Sequence, residues 1–125
     1  NKILQKPKFY MKNLQFETNE ADTIKAIITF LEMSGFHVWR NNTYGLYDVK
    51  KQAFRRLQYQ QKGVADIIGF RKSDAKFIAI EVKIGKDFLK TEQISFLDTL
   101  KKAEGLVFIA HSFDDFHEKF KRKIL

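Results

Sequence analysis

The chain predicts an α/β fold: a mixed β-sheet with helices on both of its faces, in the order α-β-β-β-α-β-α. Three observations point there. Ile24, Ile27, Ile28 and Leu31 recur at helical spacing. Residues 63–70 and 77–84 form two apolar segments that alternate with the two-residue period of strands across a short polar gap. A second amphipathic helix, an apolar strand and a phenylalanine-rich helix follow, so helices and strands interleave.

The first helix starts near Asn19, a capping residue with Asp22 three positions on, and Gly35 ends it. Glu20 lies one turn before Ile24 and so projects on or beside the inward face. There it either complements the helix dipole or reaches a site. Phe36–Arg40 reads as a strand. Residues 41–62 are polar and basic, with Asn41–Gly45 as a turn signal and one or two short strands around 46–49 and 54–59. After the central pair, a helix runs from a Thr91 cap to Gly105 with Phe96, Leu97 and Leu100 as its stripe and Gln93 one turn earlier. Leu106–Ala110 is a strand, and Ser112 caps a last helix that turns Phe113, Phe116 and Phe120 inward.

The central pair carries the chemistry. In the second strand Phe77, Ala79, Glu81 and Lys83 share one face, and in the first Asp66, Ile68 and Phe70 share one. If Lys72–Ala75 form a four-residue loop, Arg71 pairs with Lys76 and Asp66 falls opposite Glu81. Directly opposed side chains share a face with Cβ atoms about 5 Å apart, so Asp66, Glu81 and Lys83 converge. A register one residue different would send Asp66 to the other side. Burying such charges without compensation costs several kcal/mol. A hard divalent cation, Mg²⁺ or Mn²⁺, held by both carboxylates and the Val82 backbone carbonyl would compensate them. Such a site hydrolyses phosphodiesters, with Lys83 placed to meet charge developing on the phosphate. Taken alone, Glu81 and Lys83 are an ordinary strand ion pair; their combination with Asp66 among apolar residues argues otherwise.

Composition sets the bounds. At 125 residues one domain is expected, residues 16–125, preceded by a basic arm over residues 1–15 that holds the only proline, Pro7. The absence of cysteine excludes disulfides and thiolate metal sites. No apolar run is long enough to span a bilayer and the first residues lack a signal peptide's features, so a cytoplasmic protein without a membrane partner is expected. A net charge of +8 suits a polyanion such as nucleic acid. Arg40 and Asn42, and separately Lys50, Lys51, Arg55, Arg56 and Lys62, would line a phosphate backbone, or are solvated loop charges. Trp39 and Tyr44 offer rings for base stacking, against thirteen phenylalanines that mark most aromatics as core. His37, His111 and His117 read as surface or packing residues.

Gly63-x-x-Asp66-Ile67-Ile68-Gly69, Glu81-Val82-Lys83 and Gln93 resemble the PD-(D/E)XK nuclease superfamily and, more narrowly, its virus-type replication-repair nuclease (VRR-NUC) domain. Glu20-Ala21-Asp22, Trp39–Thr43, Thr91-Glu92-Gln93 and Phe108–Ser112 are similar to it as well, so that the likeness covers about residues 16–118. The resemblance implies a restriction-endonuclease-like three-layer α/β/α core. It implies Asp66 and Glu81 as metal ligands, Lys83 as catalytic lysine, Glu20 as the helix-borne acid, with Asp22 competing, and Gln93 as a supporting residue. Ala65 stands where the superfamily name has proline, which affects only local backbone. Small members of this family, found mainly in phages, act as homodimers on branched DNA such as four-way (Holliday) junctions. The expected protein is therefore a Mg²⁺- or Mn²⁺-dependent DNA endonuclease without a nucleotide cofactor. Its rivals are a nuclease for ordinary duplex or single strands and a non-catalytic DNA-binding module on the same scaffold.

Overall fold

Helix α1, Glu20–Met33, begins where Asn19 adopts an extended backbone and its side chain accepts the Asp22 N–H at 2.8 Å. Gly35, at φ +91°, turns the chain out of the helix, a conformation that favours glycine. The computed structural model describes residues 19–41, 46–55 and 59–124. The proposed basic arm at 1–15, together with Asn42, Tyr44 and Arg56, lies outside them.

After α1 come β1 (Phe36–Arg40), β2 (Leu46–Asp48), β3 (Ala53–Arg55), β4 (Ile67–Arg71), β5 (Phe77–Val82), α2 (Thr91–Lys102), β6 (Leu106–Ala110) and α3 (Phe113–Ile124). Four strands form a mixed sheet in the order β1-β4-β5-β6, in which only the β5–β6 pair is parallel. The combination of this sheet with three helices is an α/β architecture compatible with a nuclease-like fold. Among the described residues β2 and β3 pair only with each other. They add a separate hairpin to the predicted order; β3 is described as far as Arg55, and residues 56–58 of the expected strand lie outside the described residues.

The hairpin that sets the site has the expected register. Ile67 faces Ile80 and Phe70 faces Phe77. The Arg71 N–H donates to the Lys76 carbonyl at 2.8 Å, which closes the loop of residues 72–75. A bidentate bond from Arg71 to Asp74, at 2.9 and 2.7 Å, fastens it. This contact holds the exposed Asp74 carboxyl down to about 2.

Alternation along β5 divides the packing. Ile78, Ile80 and Val82 join Ile24, Ile27, Phe30 and Leu31 of α1 and Phe113, Phe116 and Phe120 of α3. The Phe30 ring stands edge-on to Phe113, Phe116 and Phe120 at 5.8, 6.1 and 5.3 Å, contacts worth roughly 0.5–1.5 kcal/mol each beyond burial. Ala79, one step out of phase, packs with Leu97 of α2, and Ile68, Phe96, Leu100, Val107 and Ile109 flank them. The α2 start differs from expectation. Thr91 is the first helical residue, because the Gln93 side chain accepts the Lys90 N–H at 2.9 Å and so closes the turn one residue earlier.

Candidate active site

Asp66 stands just before β4, where the ladder with β5 gives out. Its Oδ2 accepts the Val82 N–H at 2.8 Å, and its own carbonyl accepts the Asn41 N–H at 2.8 Å. The carboxylate thus takes over a backbone position of the sheet. In an extended strand the N–H and C=O of one residue point to the same side, so the Val82 carbonyl is turned toward Asp66.

Continuing the register one step past Ile67–Ile80 sets Asp66 opposite Glu81, on the shared face that was expected. Glu81 is 1 % exposed. Its Oε1 accepts a 3.2 Å hydrogen bond from Gln93 Nε2 and lies 3.9 Å from Lys83 Nζ. Its Oε2 is buried, and among the described residues no donor reaches it. Burial above all, then the adjoining Asp66 carboxyl and its charge, hold the Glu81 pKa well above the usual carboxylate range. Lys83 opposes this, and the charge of Glu20 adds to it.

Lys83 is also buried, at 8 % exposure. Its backbone is clamped from β6: the N–H donates to the Ala110 carbonyl at 2.9 Å, and the carbonyl lies 3.0 Å from His111 Nδ1. His111 continues the parallel pairing of Val82 with Ala110, which brings it beside Lys83. His111 is exposed, in keeping with the surface or packing residue expected of it, but nothing in one strand announces that its parallel neighbour is Lys83.

A cleft of about 380 Å³ opens beside Asp66, lined also by Asn41, Lys62, Lys90 and Gln93. Gly63 shapes it. At φ +73° its Cα presses so close to the first turn of α2 that a Cβ there would lie 2.3 Å from the Glu92 carbonyl oxygen. Only glycine permits both the conformation and the approach.

The structure therefore brings Asp66, Glu81, Lys83 and Gln93 together. Glu20 is exposed on the first turn of α1, and its charge is felt at Glu81; Asp22 is engaged by the Asn19 cap. Of the proposed DNA contacts, Lys62 lines the cleft and Arg40 is exposed at the end of β1. Lys50 and Lys51 are exposed in the β2–β3 turn, where their N–H groups bond Asp48. Arg55 ends β3, in the separate hairpin.

Among the described residues no three His, Cys, Asp or Glu side chains cluster as a metal site. The donor set fits a hard cation nonetheless: two adjoining carboxylates, one with a buried and unpartnered oxygen, and a carbonyl on the same side. These are oxygen ligands, and a Mg²⁺-type ion needs only one or two carboxylates from the protein.

In a comparison with protein families, the model for the VRR-NUC domain matches residues 40–114, more than half of the chain. The match contains Asp66, Glu81, Lys83 and Gln93 and stops short of Glu20. No curated protein matches the chain.

Proposed function

The chain belongs to the VRR-NUC domain family, nucleases of the PD-(D/E)XK type, and from that premise we propose that it is a metal-dependent DNA endonuclease acting on branched DNA. The observation that carries the metal dependence is the buried, donorless Oε2 of Glu81 beside Asp66 and Lys83.

Asp66, Glu81 and the Val82 carbonyl would hold Mg²⁺ or Mn²⁺. Once bound, such an ion supplies Lewis acidity toward the phosphate and an acidified water. The rest falls to the chain's own groups. Gln93 fixes the Glu81 carboxylate from the start of α2 while its own carbonyl oxygen is engaged by Lys90. Lys83, held rigidly by β6, presents a positive charge where the phosphate gathers negative charge, an electrostatic role. Glu20 acts from outside, as a further carboxylate whose field reaches Glu81. Lys62 and Lys90 draw the phosphate backbone toward the cleft.

Branched DNA and a homodimer follow from the family resemblance. A single site cuts one strand, so symmetric resolution of a junction requires two sites related by a two-fold axis. The test is cleavage of synthetic four-way junctions, flaps, linear duplex and single strands with Mg²⁺, Mn²⁺ or EDTA. Junction cutting that stops in EDTA and in Glu81→Ala is expected. Cutting that survives either would refute the metal mechanism, and equal cutting of plain duplex would refute the selectivity.

A further inference from the structure

Beside α2, among the described residues, this face of the sheet carries a row of part-exposed rings, the last of which, Phe77, borders a groove with Phe96, Thr99 and Leu100. Among the described residues β1 is the sheet edge, and its His37 and Trp39 face Phe70 and Ile68 across the β1–β4 ladder. Phe70 faces Phe77 in turn. Opposed residues share a face, so these rings lie on the face that carries Asp66 and Glu81. The His37 ring centroid is 5.6 Å from Trp39 and 5.4 Å from Phe70. Trp39 is 44 % exposed, Phe70 38 % and Phe77 39 %. A sheet face open to water normally carries polar residues. Here packed aromatic rings occupy it.

The row runs into the catalytic cleft. Ile68, opposite Trp39, lies two residues from Asp66, about 7 Å along the strand. Two residues beyond Trp39, Asn41 lines the cleft and donates its N–H to the Asp66 carbonyl. Lys62 and Lys90 bring positive charge to the cleft, while Arg40, paired with core-facing Ile67, projects from the other face of the sheet. Aromatic faces beside a cleft that holds Lys62 and Lys90 as well as Asp66 and Glu92, on a chain of net charge +8, match a polyanion that also offers free rings. In duplex DNA the base faces are already stacked on one another, whereas unpaired nucleotides offer a free π-face.

We propose that His37, Trp39, Phe70 and Phe77 form a base-stacking platform that binds an unpaired DNA segment and leads it to Asp66 and Glu81. This rests on the nuclease reading of the site and adds to its branched substrate a stretch of bases unpaired at or beside the branch, which the platform would hold.

Trp39 is the only tryptophan, so its emission reports stacking directly. The full chain in EDTA is titrated with oligothymidylate, and Trp39 fluorescence is followed against a blunt duplex control. Saturable quenching by the single strand, and much weaker quenching by the duplex, is expected. Trp39→Ala and Phe70→Ala, followed by anisotropy of a labelled oligothymidylate, should each weaken binding about 5- to 150-fold, the equivalent of losing one stacked base. Trp39→Phe should retain most of the affinity. Absent quenching, or unchanged affinity in Trp39→Ala, overturns the proposal. So does a Trp39→Ala chain that changes oligomeric state at unaltered affinity, because the rings would then meet a second copy. No cleavage enters these measurements, so loss of cutting in Mg²⁺ with intact quenching would count against the catalytic reading alone.

Discussion

Glu81 concentrates the chemistry at the scale of single residues. A carboxylate this buried, with one oxygen lacking a donor, costs the metal-free fold stability once it ionises. Its folded pKa is raised above the unfolded value of about 4.3, so in that range the folded state binds the extra proton. In EDTA, stability should therefore fall as pH rises from about 4.3 and level off once Glu81 is ionised in the folded protein. Glu81→Gln should remove that slope and raise the metal-free melting temperature at pH 8, by about 1–3 kcal/mol of stability. The same variant should abolish metal-dependent cleavage and the stabilisation that Mn²⁺ gives the native chain. Thermal melts across pH, with and without Mn²⁺, check all of this; a pH-independent melting temperature in EDTA would contradict it. The convergence of Asp66, Glu81 and Lys83 was legible in the sequence, since they interrupt apolar strands at fixed spacing. His111 was not, because its contact with Lys83 depends on how two distant strands align.

Among the elements, the turns and clamps around the site decide its geometry. Gly63→Ala combines a left-handed backbone, worth roughly 1–2 kcal/mol, with a collision against the Glu92 carbonyl. The melting temperature should drop by several degrees, and activity should fall further than stability, because the same loop delivers Asp66. His111→Ala removes the ring at the Lys83 carbonyl without touching any ligand. A fall in kcat of about tenfold, for roughly 1.4 kcal/mol of lost positioning, is expected with KM little changed. Asn in its place, which can still donate, should recover most of it. An equal loss in both variants would mean that the contact only packs. Element ends show what local pattern can and cannot give. Asn19, Gly35 and Ser112 act as local signals would have them, with Asp115 N–H bonded to Ser112 Oγ at 3.0 Å. Thr91 yields the cap position because Gln93, recruited toward Glu81, also serves Lys90.

For the whole molecule, a net charge of +8 matters mainly for DNA affinity. Binding of oligothymidylate should weaken with salt at a log–log slope near −0.7 per phosphate engaged. Lys62→Ala with Lys90→Ala should flatten that slope by about one to two phosphate equivalents, while Lys50→Ala with Lys51→Ala tests whether the β2–β3 hairpin contributes. An unchanged slope in the first pair would remove the cleft from the DNA path. The family match and the mixed four-stranded sheet agree with the α/β nuclease reading of the sequence. The β2–β3 hairpin was foreseen only as one or two short strands, since such short segments carry too few residues for periodicity to fix their pairing.

By itself the sequence determined which residues alternate between faces, where the main helices stop, and that two carboxylates and a lysine belong to one hairpin. All of that follows from local periodicity and a four-residue loop. Only the tertiary structure decided that Gln93 closes on Glu81, that His111 clamps Lys83, and that the rings of β1 share the face of the cleft. These contacts join residues far apart in the chain. Their partners are chosen by how strands and helices pack, which no single stretch of residues specifies.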